Sequence, residues 1–440
     1  MSPLPLRFDA ASLDSSRAAA LEGRDAWAAS SPAVASEVAA LLARVRAEGD
    51  GALREFARRF DGTALDALEV PRESWKAALD ALEPELRAAL ERATRNIERA
   101  HRAFLLAPVE VEVEPGVHIG RRPEPLARVG VYAPGGRAAY PSSVLMACVP
   151  ARVAGVSEVI VCSPPARGTA GPSPLVLAAA QLGGATRVFA LGGAGAIGAM
   201  AFGTASVPRV DRIVGPGNAW VAEAKRQVSG VVGIDSPAGP SELLVVADGV
   251  ANAATLAREL VAQAEHDPDA LALAVVVGER AAISVALELR AAAARCERRG
   301  VVEASLAARG GVLCAPTLER ALAFASEFAP EHLLLAVEDP TAALAAVRDA
   351  GAVFLGESSS VAFGDYLSGG NHVLPTAGFA RTSSGLSTQD FVRWTQWQRV
   401  TPAAAAALAA DCARLARAEG LPGHAVAAER WTTSGTGGDA

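Results

Sequence analysis

At 440 residues the chain is too long for one hydrophobic core, and domains of roughly 100–200 residues imply two or three, some discontinuous. Apolar residues make up 51% and charged residues only 20%, which marks packed globular structure and excludes a disordered chain. A net charge of −7 argues against nucleic acid or an anionic membrane as a partner, since either would want clustered Lys and Arg.

The five cysteines are odd in number and scattered, with no CxxC spacing. A disulfide framework or thiolate zinc site is therefore not expected, and a reducing, cytoplasmic setting fits. The N-terminus carries charges throughout, so it does not read as a signal peptide. No segment reaches the roughly 20 uncharged apolar residues of a membrane span.

Residues up to about Arg24 read as an irregular arm. From Ala28 to Arg102 apolar residues recur every three or four positions, as in "SEVAALLARVRAEGDGALREFARRFDG", which predicts helices. From about Ala127 short β-branched runs alternate with helical ones: "RVGVYAPGG", "SVLMACVPARVAGV", "EVIVCSPP", "PLVLAAAQLGGA", "RVFALGGAGAIGAMAFG" and "RIVGPGN". Gly or Pro marks the end of each predicted strand. That rhythm predicts a doubly wound parallel sheet, which binds ligands at its strand carboxyl ends. Gly193, Gly195 and Gly198 spell GxGxxG there, a weak dinucleotide signal by itself. Tyr132 and Asn218 lie in neighbouring turns at the same edge and suit stacking and hydrogen bonding.

A second α/β unit begins near Ser241 with "ELLVVADG", and after Gly385 the chain reads as a helical tail whose last residues are expected to be disordered. Four of the six histidines fall in polar clusters of this second half. In "VAQAEHDP", Gln263 and His266 share one helix face, which suits either a metal or an ordinary helix end. "FGDYLSGGNHVLPT" is a glycine-rich loop carrying Asp365 and His372, readable as ligand and orienting group or as loop caps. "EGLPGHAV" carries Glu419 and His424, which alone read as surface residues. Together two His, an Asp and a neutral oxygen donor make a borderline set compatible with zinc. "APEHLLLAVED" sets Glu331 beside His332 at the edge of an apolar run. His101 and His118 read as surface or half-buried structural residues.

Taken together, "VYAPGGRAAYPSSVLMACVPARVAGV", "GPGN…VAEAKRQVSG", "IDSPAGPSELLVVAD", "QAEHDP", "APEHL" and "GDYLSGGNHVLPT" resemble the signatures of the histidinol dehydrogenase family, in the family's order, from about residue 20 to 430. The resemblance implies an α/β fold of two doubly wound, Rossmann-like domains, with small N-terminal and C-terminal helical extensions, the latter exchanged in a homodimer. The implied layout is an arm over 1–27, a zinc and substrate domain from 28–130 plus 241–386, an NAD-binding domain over 131–240, and a tail over 387–440 reaching the partner's active site. The implied activity is NAD-dependent, zinc-requiring oxidation of L-histidinol through L-histidinaldehyde to L-histidine.

By the same resemblance, Gln263, His266, Asp365 and His424 match zinc ligands, and Ser241, His332 and Glu419 match substrate contacts together with those ligands. Glu331 and His332 match the acid/base pair, Tyr132, Gly195 and Asn218 the NAD contacts, and His372 a supporting position. Two departures concern NAD: Gly195 stands where the family usually has Gln, and Ala219-Trp220 follow Asn218 in place of Lys-Tyr. The same residues also suit a dehydrogenase for another amino alcohol or sulfonated analogue, or a non-catalytic zinc-binding relative. His332, ordinarily titrating near ~6.5, suits removal of a hydroxyl proton, and Glu331 suits activation of the water that hydrates the aldehyde.

Overall fold

The computed structural model describes residues 4–25, 31–135, 139–236 and 239–433; the C-terminal residues expected to be disordered lie largely outside them. The chain opens with strand β1 (Phe8–Ser12) and helix α1 (Leu13–Asp25). Helices α2 (Pro32–Glu48), α3 (Asp50–Phe56), α4 (Arg72–Asp80) and α5 (Pro84–Ala103) follow, then strands β2 (Val109–Glu114) and β3 (Val117–Pro125). The first alternating run is β4 (Arg128–Tyr132), α6 (Pro141–Ala154), β5 (Glu158–Ser163), α7 (Pro174–Gly183), β6 (Arg187–Ala190), α8 (Gly193–Phe202), β7 (Arg212–Val214), α9 (Ala219–Val228) and β8 (Gly233–Ile234).

The second run starts with β9 (Glu242–Ala247), α10 (Ala253–Ala264), β10 (Leu271–Val277), α11 (Glu279–Arg295), α12 (Arg299–Arg309) and β11 (Gly311–Ala315). It continues with α13 (Leu318–Phe328), β12 (His332–Ala336), α14 (Pro340–Ala346), β13 (Ala352–Leu355) and α15 (Val361–Tyr366). Strand β14 (Val392–Val400) and helices α16 (Pro402–Ala418) and α17 (Pro422–Glu429) close the described chain.

Two compact units result: Met1–Phe104 with Leu126–Phe391, and Leu105–Pro125 with Val392–Ala440. The first holds two parallel sheets, of order β6-β5-β4-β7-β8 and β1-β11-β10-β9-β12-β13. Each is wound in two directions from a central first strand, β4 or β9. The strands of β9 and β10, "ELLVVA" and "LALAVVV", are apolar on both faces, as a sheet covered by helices on both sides requires. Alternate residues serve the two covers. Leu243 and Val245 pack with α10, α11 and α12, whereas Leu244 and Val246 pack with α1 and α13.

The second unit is built on the antiparallel sheet β14-β3-β2, with α16 packed against α17.

Several expectations need correction. The N-terminal arm is not irregular: β1 pairs in parallel with β11 as an edge strand, and α1 covers the sheet with Leu13 and Ala20. Its pairing partner is remote in sequence, so local pattern gave no sign of it. The tail is not purely helical, because "VRWTQWQRV" forms β14 against β3 in full register from Val392↔Pro125 to Val400↔Val117. Consequently residues 105–125 group with the tail, not with 28–130 and 241–386. Helices α2–α5 likewise pack on the five-stranded layer, α4 and α5 against α6 and α7, and α2 against α8 and α9. His101 is fully buried, donating Nδ1–H to the Ile97 carbonyl at 2.9 Å. His118 is half-buried beside Glu110 at 3.0 Å.

Candidate active site

The five-stranded sheet gathers glycine-rich turns at its carboxyl edge, where β4 and β7 diverge. Tyr132 ends β4, is buried, and its hydroxyl accepts the Gly193 N–H at 3.1 Å at the start of α8. Burial pushes the phenol up to about 12. Gly215, just after β7, has φ +113° and lies so close to β4 that a Cβ would stand 2.2 Å from the Tyr132 carbonyl oxygen. Only glycine fits there. Asn218 caps α9, its Oδ1 accepting from the Trp220 and Val221 N–H groups at 3.1 Å each.

A buried ion pair fixes this turn, and sequence reasoning missed it. Lys225 pairs with Asp235 and donates to the Gly215 carbonyl at 3.1 Å, while Asp235 Oδ2 accepts the Gly215 N–H at 2.8 Å. A Lys on the buried face of an amphipathic helix was the available signal. Gly195, by contrast, is explained by packing. It is buried, and a Cβ there would meet Phe56 at 3.0 Å, so its missing side chain points to α3 and not to the turn's open side.

The six-stranded sheet collects its polar groups at the opposite, amino edge. Ser241 and Glu242 lead into β9, and Glu331 leads into β12, whose first residue is His332; parallel pairing of His332 with Leu243 sets the two lead-ins side by side. Glu331 is 6% exposed and His332 3%. Glu331 Oε2 accepts from Ser241 Oγ and from the Glu242 N–H, both at 2.7 Å. His332 donates Nδ1–H to the Glu242 carbonyl at 3.0 Å, and its Nε2 lies 3.5 Å from Asp365 Oδ1 without a well-formed hydrogen bond. Burial opposes charge on His332, but Glu331 and Asp365 outweigh it and hold the imidazole well above its ordinary range.

Glu242 was also missed, though a Glu opening an otherwise apolar strand is a legible anomaly. It is 4% exposed, and burial together with the neighbouring Glu331 pushes it up to about 8. The segment before the pair is clamped by α1: Arg24 donates to the Glu327 carbonyl at 3.2 Å and to that of Phe328, stacking over the Phe328 ring.

Gln263 and His266 stand at the end of α10, at this same amino edge. Gln263 is buried, and its Nε2 has no partner among the described residues. Asp365, at the end of α15, is buried yet held below its ordinary carboxylate range by His332 contact and by the nearby His372 and His266. His372 donates Nδ1–H to the Asp365 carbonyl at 2.8 Å and accepts from Ser143 Oγ at 3.2 Å, and burial lowers its basicity. It thus ties the Asp365 loop to α6, as Asn371 does through the Met146 carbonyl at 2.7 Å. The structure therefore brings Ser241, Gln263, His266, Glu331, His332, Asp365 and His372 into one unit. Glu419 and His424 are exposed in the other unit. Among the described residues no group of three or more His, Cys, Asp or Glu is arranged to hold a metal.

A family model described as histidinol dehydrogenase matches residues 26–431. Histidinol dehydrogenase from Methanosarcina mazei is 47% identical over 393 residues, 89% of this chain and 90% of that one. The enzyme of that name from Xanthomonas euvesicatoria pv. vesicatoria is 46% identical over 390 residues, covering 88% and 90%. The crystal structure of histidinol dehydrogenase from Elizabethkingia anophelis superposes with a TM-score of 0.89 at 33% identity, covering 92% of this chain and 94% of that one. The protein is thus an oxidoreductase built on two parallel α/β sheets. Within that class the chain belongs to the histidinol dehydrogenase family.

Proposed function

We propose that the chain catalyses the zinc-requiring, NAD-dependent oxidation of L-histidinol through L-histidinaldehyde to L-histidine, in the cytoplasm, as a homodimer. The observation that carries this reading is the buried Glu331–His332 pair with the Nδ1–H of His332 committed to the Glu242 carbonyl. In the neutral ring that bond selects a tautomer whose Nε2 is left to take a proton, and a metal ion on Asp365 would remove one of the two charges that hold the ring protonated. Such a base is typically worth ~10²–10⁴ in rate.

His332 acts at the hydroxyl group in each oxidation. Glu331, held by Ser241 and the Glu242 N–H, activates the water that hydrates the aldehyde. His332 then takes the proton of the hydrate, so both members are used because two oxidations enclose one hydration. NAD would be held at the carboxyl edge of the five-stranded sheet by Tyr132, Asn218 and the backbone at the start of α8 (Gly193–Gly195), and would supply the hydride acceptor for each oxidation.

The donor types suit zinc: Gln263, His266 and Asp365 would supply one nitrogen and two oxygens, and the buried Gln263 Nε2 has no partner among the described residues that would lock the amide away from turning its oxygen to the metal. His424 would complete the set, with Glu419 facing the substrate's amine, both from the tail of a second copy. The exposure of both residues supports this division. Bound there, Zn2+ would offset the charge of Asp365 and orient the substrate's imidazole and amine nitrogens.

The test is NADH absorbance on mixing protein, zinc, NAD and L-histidinol. Two NADH per histidinol consumed is the expected result. A signal with another amino alcohol alone, or none with any alcohol despite bound zinc, overturns the proposal.

A further inference from the structure

Glu242 touches both members of the acid/base pair, yet the mechanism above uses only its backbone. Its N–H donates to Glu331 Oε2 at 2.7 Å, and its carbonyl accepts the His332 Nδ1–H at 3.0 Å. Its carboxyl returns the contact, Oε2 accepting the Glu331 N–H at 3.4 Å and Oε1 the Ala377 N–H at 2.8 Å. Ala377 itself sits at φ +52°, so this backbone is held in a left-handed turn that a side chain disfavours. A buried carboxyl tolerated at such a place needs its acceptors used, and here they are.

The charged groups facing Glu242 are Glu331 before β12, Arg24 of α1 and Arg309 of α12. Two carboxyl groups this close in a dry site resist double ionisation. Burial and the neighbouring Glu331 raise Glu242 to about 8, so Glu242 keeps a proton near neutrality.

We propose that Glu242 is a positioning residue for the oxidation: its carboxyl holds the Glu331 and Ala377 backbone while its own N–H aims the Glu331 carboxyl and its carbonyl fixes His332 Nδ1–H. This deepens the reading of Glu331 and His332 as the acid/base pair and rests on it. Glutamine copies the neutral charge of Glu242 and keeps one acceptor for the shorter bond, from the Ala377 N–H, whereas leucine keeps no acceptor, and the two variants therefore separate.

The experiment compares Glu242→Gln, Glu242→Leu and His332→Asn with the unaltered holoenzyme, by steady-state kinetics on histidinol and by melting temperature against pH. Glu242→Gln is expected to keep kcat within about threefold at neutral pH, while folded Glu242→Leu loses kcat ~10²-fold with KM for histidinol little changed. The stability arm needs no activity. A carboxyl raised from 4.5 to about 8 on folding contributes fully below about 4.5 and loses that contribution as pH rises through about 8. Glu242→Gln cannot lose it, so its melting temperature should gain on the unaltered protein as pH rises through that window.

A loss in Glu242→Gln as deep as in Glu242→Leu, or a melting difference flat with pH, overturns the proposal; if Glu242→Leu does not fold, the glutamine variant alone still decides. An active His332→Asn protein would instead overturn the assignment of the pair and leave the stability arm to judge Glu242.

Discussion

The two parallel sheets of the first unit are wound alike and gather their notable residues at opposite edges. In both, a central strand is followed by two neighbours on one side before the chain crosses to the other. At the five-stranded sheet the notable groups, Tyr132, Gly215 and Asn218, stand where β4 and β7 end. At the six-stranded sheet Ser241, Glu242, Glu331 and His332 stand where β9 and β12 begin. Winding explains the first site, because connections leaving the switch point in opposite directions open a crevice at the carboxyl edge. It does not explain the second. There polar residues stand at the starts of two otherwise apolar strands, whose parallel register forces them together, and the proposed chemistry would draw on them. The lesson is that topology nominates an edge, and buried polar residues can claim the other.

Three substitutions sharpen this contrast. The largest stability effect is expected at the turn that shapes the carboxyl edge: Asp235→Asn leaves Lys225 buried without its charge partner and should cost about 3–5 kcal/mol. Urea unfolding checks it, and a loss under about 1 kcal/mol would show that the pair is solvated or dispensable. Next, Gly215→Ala must place a Cβ against the Tyr132 carbonyl at φ +113°, a strain of about 1–3 kcal/mol. It should raise KM for NAD while sparing zinc binding; an unchanged NAD response would detach the switch point from the cofactor. The smallest effect is Asn218→Ala, which removes a helix cap and should cost about 1 kcal/mol, with a modest rise in KM for NAD. Each is predicted to leave the binding of zinc and histidinol at the amino edge nearly intact.

Much of this was visible in the residues. The alternation from Arg128 onward is legible because buried parallel strands are short, apolar and punctuated by Gly and Pro. The adjacency of Glu331 and His332 needs no fold to be seen. By contrast β1, with its sequence "FDAAS", is a strand only because the edge of β11 accepts it. Strand β14 alternates aromatic and polar residues, a pattern the Ala-rich stretch behind it overshadowed. Glu242 is legible as an anomaly at the start of an apolar strand, but only the pairing of β9 with β12 reveals the second carboxyl beside it. Gly195, which the resemblance marks as a departure at an NAD contact, faces Phe56, a packing reason that only the fold reveals.

In the proposed reaction one imidazole takes protons in both oxidations and one carboxylate serves only the hydration between them. Single-turnover NADH formation, started separately from histidinol and from histidinaldehyde, measures this directly in His332→Asn and Glu331→Gln proteins with zinc bound. His332→Asn should slow both reactions by ~10²–10⁴, and Glu331→Gln should slow the aldehyde reaction far more than the alcohol one. Undiminished turnover in His332→Asn, or equal losses from both substrates in Glu331→Gln, would contradict it.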